Sequence, residues 1–245
     1  MQPEAIAEVS ASSWPTSRAS AITLEGGLEA IGLDLPPERV EALKGFLDLL
    51  QRWNRVYNLT AVRDPQEMLV QHLLDALAVI PILGRLVTGD PPAHCGSTAD
   101  PIRALEGLHV ADIGSGAGIP GLVLAIVCPK LHLLSIEPVG KKCAFQQQVA
   151  SELALAHVTV KQSRAEQVTA PSDWVMCRAL TTLAEFIRIS AGLMTPATRL
   201  AALKGRRSEI DAELRALPAG WQAAVIPVVV PGLAAERHLV VLQST

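Results

Sequence analysis

Two rhythms of apolar and polar positions run along this chain. From Pro36, Val40, Leu43, Leu47, Leu50 and Trp53 recur at the spacing of one helix face. Asn58 and Thr60 punctuate the pattern, and Asp64-Pro65 fits a cap followed by a proline in the first helical turn. A second helix is therefore predicted over 66–80, with Met68, Leu69, His72, Leu73, Ala76 and Leu77 on one face. Short apolar runs follow, at 108–113, 131–137, 158–162, 174–177 and 199–203, and read as strands. Helices are predicted after the glycine-rich stretch from Ile119-Pro120, and over 141–155, 182–193 and 208–217, the last capped by Ser208. The final runs, 223–230 and 238–242, lie too close together for a crossover helix and form a hairpin. The expected architecture is α/β, a mostly parallel sheet with an antiparallel carboxyl-terminal edge. Residues 1–20, rich in Ala and Ser around Trp14, are expected to be a disordered arm. Residues 21–88 make an amino-terminal helical cap, 89–104 a loop insertion, and 105–245 the main domain.

The first of these strands runs into Gly114-Ser115-Gly116-Ala117-Gly118. Glycines let a chain turn sharply and approach a ligand closely, so the pattern predicts a nucleotide-type pocket at the carboxyl end of a parallel strand. A dinucleotide fingerprint requires glycine or alanine where Ile119 stands. The spacing G-x-G-x-G, with Asp112 ahead of it, is instead the form typical of S-adenosylmethionine sites. With the strand–helix alternation it gives a Rossmann-like, class I S-adenosylmethionine-dependent methyltransferase layout.

Composition narrows the rest. Hydrophobic residues make up 49% of the 245 residues, enough for a full core, while aromatic residues make up only 3%, which argues against a long stacking platform for nucleic acid. A net charge of −3 leaves any polyanion site to a local patch. Cys95, Cys128, Cys143 and Cys177 lack C-x-x-C spacing and read as reduced thiols, and no metal is expected. Neither a signal peptide nor an apolar run long enough to span a bilayer stands out, so a cytoplasmic protein without membrane contact is expected.

Glu137 ends the second strand, where an acidic group accepts both hydrogen bonds of a ribose diol. After the third strand, the Ala165 amide and Glu166 carboxylate are placed to read an adenine edge, although Glu166 also suits a plain helix start. The fourth strand ends in Met176-Cys177-Arg178-Ala179, with neither an Asp/Asn-Pro-Pro-aromatic loop nor an evident base for Cys177, which reads as a core thiol. Arg178 offers a planar fork to a carboxylate, a phosphate or a guanine edge, or else forms a surface ion pair. Lys141, Lys142, Arg164, Arg178, Lys204, Arg206 and Arg207 all fall near strand ends. They form either a polyanion-binding rim or a solvated face.

Three stretches carry a resemblance: LLQRWNRVYNLTAVRDPQEMLVQHLLDALAVIPIL from Leu49, VADIGSGAGIPGLVLAI from Val110 and CRALTTLAEF from Cys177. With GKKCAF, QSRAE, ALKGRR and ERHLVVL, they make residues 35–243 resemble the bacterial ribosomal RNA small-subunit methyltransferase G family, also called glucose-inhibited division protein B. The resemblance implies transfer of a methyl group from S-adenosyl-L-methionine to nitrogen 7 of a guanine in 16S ribosomal RNA. The implied partner is that RNA or the small ribosomal subunit rather than DNA, and a monomer is expected. Carried over, the family's cofactor contacts fall on Gly114, Ile119, Ala165, Glu166 and Arg178. This chain departs in having Glu137-Pro138 where the family commonly has Asp-Ser, and Cys177 where Ser often precedes the arginine. No catalytic acid or base is named, because nitrogen 7 has no proton to lose. The alternatives are a methyltransferase of a small molecule or protein, and a ribosome-binding protein that keeps the fold without the activity.

Overall fold

In the computed structural model, residues 22–89 and 100–245 are described. The arm expected at 1–20 with Trp14, residues 90–99 of the insertion and Cys95 lie outside them. Seven strands form one sheet in the order β3-β2-β1-β4-β5-β7-β6. They are β1 His109–Ile113, β2 His132–Glu137, β3 Val158–Gln162, β4 Trp174–Arg178, β5 Arg199–Lys204, β6 Trp221–Pro227 and β7 His238–Ser244. The first five are parallel, while β7 runs antiparallel to both β5 and β6. The expected parallel sheet with an antiparallel closing hairpin is therefore present. Chain order reverses between β1 and β4, and a ligand crevice opens at such a switch, outside the carboxyl ends of the strands.

Strand alternation divides the core in two. Val110, Trp174, Met176, Ala201 and Leu203 face one side; Ala111, Val175, Cys177, Leu200 and Ala202 face the other. The first side packs under α7 Gly121–Val127 and the amino-terminal helices, the second under α9 Leu183–Ile189 and α10 Arg207–Leu214. The amino-terminal helices are α1 Leu24–Ile31, α2 Pro37–Tyr57, α3 Pro65–Met68, a π-helical segment Leu69–Leu74, α4 Asp75–Leu77 and α5 Ile80–Thr88. Their apolar side chains, Leu28, Phe46, Leu73 and Leu77 among them, belong to the same core as the sheet face. The stretch Pro65–Thr88 is long and apolar enough to cross a membrane, but 72% of its most apolar window is buried inside the fold, the mark of a core helix.

Several local expectations are corrected. The periodicity missed α1, whose Gly26 and Gly27 weaken helix propensity; Thr23 caps it by accepting the Gly26 N–H at 3.0 Å. The helix expected over 66–80 is interrupted by the π segment and by a turn before Ile80. Within 89–104, Asp100 caps a short helix, α6 Pro101–Ala104, which packs so tightly on Gly84 that a Cβ there would lie 2.7 Å from Pro101. The helix after the glycines opens at Gly121 rather than at Ile119-Pro120. Ser208 lies inside α10 and does not cap it; a distant carboxylate, Glu236, accepts the Arg207 N–H at 2.8 Å instead.

Candidate functional site

The carboxyl ends of β1, β2, β4 and β5 open onto a cavity of about 640 Å³, within the range of small-molecule sites. Its floor is the glycine turn. Gly114 has φ +62°, a backbone conformation that favours glycine, and a Cβ there would stand 2.5 Å from Leu180 Cδ1, at the end of an exposed side chain. Gly121 opens α7 against Asp112, whose Oδ2 accepts its N–H at 2.9 Å; a Cβ at Gly121 would fall 2.7 Å from that oxygen. Asp112 Oδ1 is buried without a hydrogen-bond partner among the described residues. Burial pushes this carboxyl up to about 7, against the pull of the Gly121 N–H and Arg178.

Glu137, only 3% exposed, ties the second strand to the glycine turn. Its Oε2 accepts the Gly116 N–H at 2.8 Å and its Oε1 accepts the Val139 N–H at 2.9 Å. An ionised carboxylate has about four acceptor positions, so capacity remains for a diol. Beneath the turn lies a buried polar network. Gln146 Nε2, from α8 Gly140–Glu152, donates to the Gly116 carbonyl and to Ser115 Oγ, both at 2.8 Å. Ser135 Oγ lies 2.7 Å from Ser115 Oγ and 2.5 Å from Gln146 Oε1.

The opposite wall comes from the helical segment. His72 and Asp75 line the cavity, and Arg178 reaches both: Nη1 donates to the Gln71 carbonyl at 2.9 Å and to Asp75 Oδ2 at 3.2 Å, and Nη2 stands 3.4 Å from His72 Nδ1. Arg237 Nε donates to Asp75 Oδ1 at 3.0 Å. Asp75 is thus held between an arginine at the end of β4 and one just before β7. Burial, then Arg178, lowers His72 to about 4, so it is neutral at ordinary pH. Its Nε2 pairs with Thr60 Oγ1 at 2.8 Å.

This wall gives the W-N-x-x-Y-N-L-T block a physical account. Asn54, inside α2, donates to the Val62 carbonyl and accepts the Thr60 N–H, both at 2.9 Å. Asn58 ends the helix at φ +48°, a conformation asparagine tolerates better than most residues. The chain turns there and brings Leu59 and Thr60 to the cavity.

Of the six expected cofactor residues, Gly114, Ile119, Glu137 and Arg178 line this cavity together. Ala165 and Glu166 sit in a 3-10 turn beyond β3 and are not part of its lining; Glu166 is exposed, 3.5 Å from Arg188. Arg178 is a partly buried brace rather than a surface ion pair. Sequence reasoning missed His72 by placing it on an apolar helix face, and missed Asp75, Arg237 and Gln146 outright. The only signal was a polar residue recurring on an apolar face. Of the seven basic residues expected near strand ends, three are charge-compensated on the β5 side: Lys204 donates to the Thr181 carbonyl and both Glu213 oxygens, Arg206 pairs with Glu209, and Arg207 with Asp211. Cys177 is buried and its thiol pushed far up by burial, a core thiol as read.

The rRNA small subunit methyltransferase G family model matches residues 39–88 and 93–240. The protein called ribosomal RNA small subunit methyltransferase G in Azoarcus sp. (strain BH72) is 43% identical over 222 residues, 89% of this chain and 94% of that protein. Its namesake in Aromatoleum aromaticum is 42% identical over 231 residues, 91% of this chain and 99% of that one. A solved SAM dependent methyltransferase from Aquifex aeolicus superposes with a TM-score of 0.46 at 19% identity, over 56% of this chain and 82% of that one.

Proposed function

The chain belongs to the rRNA small subunit methyltransferase G family and is an S-adenosyl-L-methionine-dependent methyltransferase of ribosomal RNA, and we propose that its acceptor is nitrogen 7 of a guanine in the 16S RNA of the small subunit. One observation supports the site assignment above others: the glycine turn at the end of β1 is fastened to the Glu137 carboxylate through the Gly116 N–H. That juxtaposition suits a ligand with an amino-acid end against Gly114 and a ribose diol against Glu137. Ile119 forms apolar wall beside the turn. Arg178 keeps its Nε–H and one Nη2–H beyond those used on Gln71, Asp75 and His72, and these donors suit the carboxylate of the methyl donor. Ala165 and Glu166 are assigned to the adenine edge on the family resemblance alone.

The bound donor supplies an electrophilic methyl on a sulfonium. Nitrogen 7 has an in-plane lone pair and no proton, so no residue has to act as a base. The cavity's groups agree with this: His72 is neutral with its Nε2 held by Thr60, and Asp75 is held between two arginines. The chain's contribution is therefore alignment of the two reacting groups, which by itself lowers a barrier substantially. We place the protein in the cytoplasm, acting as a monomer on the small subunit or its RNA.

Incubation with methyl-labelled S-adenosyl-L-methionine and protein-free small-subunit RNA from cells lacking this protein tests the reading. Label should be recovered as 7-methylguanosine. Label in another nucleoside, or in free nucleotides alone, would remove the proposal.

A further inference from the structure

Around the cavity mouth the basic side chains differ in their partners. On the β5 and α10 side each is matched by a carboxylate, as described for Lys204, Arg206 and Arg207. Where α2 ends against the start of α8 the balance is different. Arg63, Lys141 and Lys142 have no carboxylate partner among the described residues; Arg63 donates to Asn58 Oδ1 at 3.0 Å and Lys141 to the Tyr57 carbonyl at 2.7 Å. Lys142 lines the cavity itself, as do Leu59 and Thr60 from the same turn. Uncompensated positive charge therefore runs from the cavity edge onto the end of α2.

One aromatic ring stands among these charges. Tyr57 is the single tyrosine of the chain and is 44% exposed, beside Val56 at 70%. It is the one exposed Phe, Trp or Tyr among the described residues. Its ring rests on Trp53, centroids 5.0 Å apart, Trp53 meets Phe145 edge-on at 5.6 Å, and Phe145 meets buried Phe46 at 6.2 Å. The exposed ring is thus backed by a column reaching into the core, and little side-chain freedom is left to lose on binding. Single-stranded RNA is held by such elements: phosphates by arginine and lysine, splayed bases by aromatic faces.

We infer that Tyr57, with Arg63 and Lys141, forms a landing surface for the RNA strand flanking the target guanine, one base stacking on the Tyr57 ring and neighbouring phosphates meeting the two cations. This rests on the methyltransfer reading above and extends it from the cavity to the surface that presents the RNA.

The test uses the full chain, protein-free small-subunit RNA lacking the methyl group, and the assembled small subunit as a second substrate. Tyr57→Leu, which keeps an apolar neighbour against Trp53, should raise KM for the RNA about tenfold, the loss of one base stack, with kcat changed far less. Tyr57→Phe should restore the parent value. The double variant Arg63→Gln/Lys141→Gln should flatten the plot of log affinity against log salt by about 0.7–0.9 for each phosphate no longer neutralised. S-adenosyl-L-methionine affinity should hold in every variant. If the parent methylates the RNA while all variants keep its KM and salt slope, the RNA lands elsewhere and the inference is wrong. An effect confined to the assembled subunit would make this a protein-facing surface and equally overturn it. A parent that binds the methyl donor but methylates no ribosomal RNA would remove the methyltransfer reading and this inference with it.

Discussion

Asp75 Oδ2 lies 3.2 Å from Arg178 Nη1, joining a helix that packs on the sheet to the carboxyl end of its fourth strand, 103 residues away. The second oxygen takes Arg237. Asp75→Ala would leave two partly buried guanidiniums facing each other without their shared carboxylate. Breaking such a pair from one side costs about 3 kcal/mol, or roughly 6–12 °C in a chain of this size. Calorimetry should show that drop, and a Tm within about 2 °C of the parent would mean solvent already screens the cluster.

Asp112 should make stability fall as pH rises. The ordinary carboxyl value is 3.8, and burial holds this one near 7 in the fold. Between those values the folded chain keeps a proton that the unfolded chain has released, so the group's contribution is full below about pH 4 and lost through pH 7. Asp112→Asn keeps an acceptor for the Gly121 N–H and never ionises. Its stability relative to the parent should rise across that window, by an amount on the order of 4 kcal/mol at most. Urea unfolding of both proteins at several pH values measures the difference, and a flat difference would contradict the shift.

Glu137→Gln removes the charge that accepts the Gly116 and Val139 N–H groups and, on our reading, the ribose diol. Hydrogen bonds to a charged acceptor contribute about 1.5–3 kcal/mol. The dissociation constant for S-adenosyl-L-methionine should therefore rise ten- to a hundredfold by titration calorimetry. An unchanged constant would reduce Glu137 to a structural tie.

Arg206 and Arg207 should prove unimportant for RNA. Their exposed pairs with Glu209 and Asp211 belong to one helix and cancel locally. The double alanine variant should keep the parent's RNA affinity and salt slope. A slope flattened by more than about 1 would return the phosphate-binding role to this side of the mouth.

Sequence patterning was informative wherever the controlling interaction is local. The glycine turn, Glu137 at a strand end and the closing hairpin are each visible within a few residues. The missing parts depend on long-range pairing. Spacing places His72 on an apolar helix face, where core is the natural reading, and only the fold brings Arg178 to it and Arg178 and Arg237 to Asp75. The same holds for the basic residues near strand ends: their position could be inferred, but the carboxylate of Glu213 beside Lys204 could not. Ser208 lost its cap role to Glu236, which arrives from a distant loop.

The central claim is that this chain methylates nitrogen 7 of a guanine in small-subunit RNA through the cradle at Gly114. The direct measurement is nucleoside mass spectrometry and site mapping of that RNA from cells with the gene, without it, and complemented by the parent chain or by Gly114→Val, whose side chain meets Leu180 in a backbone conformation that valine resists. We expect one 7-methylguanosine that disappears with the gene, returns with the parent and stays absent with the valine variant. The same 7-methylguanosine content in all four would contradict the account.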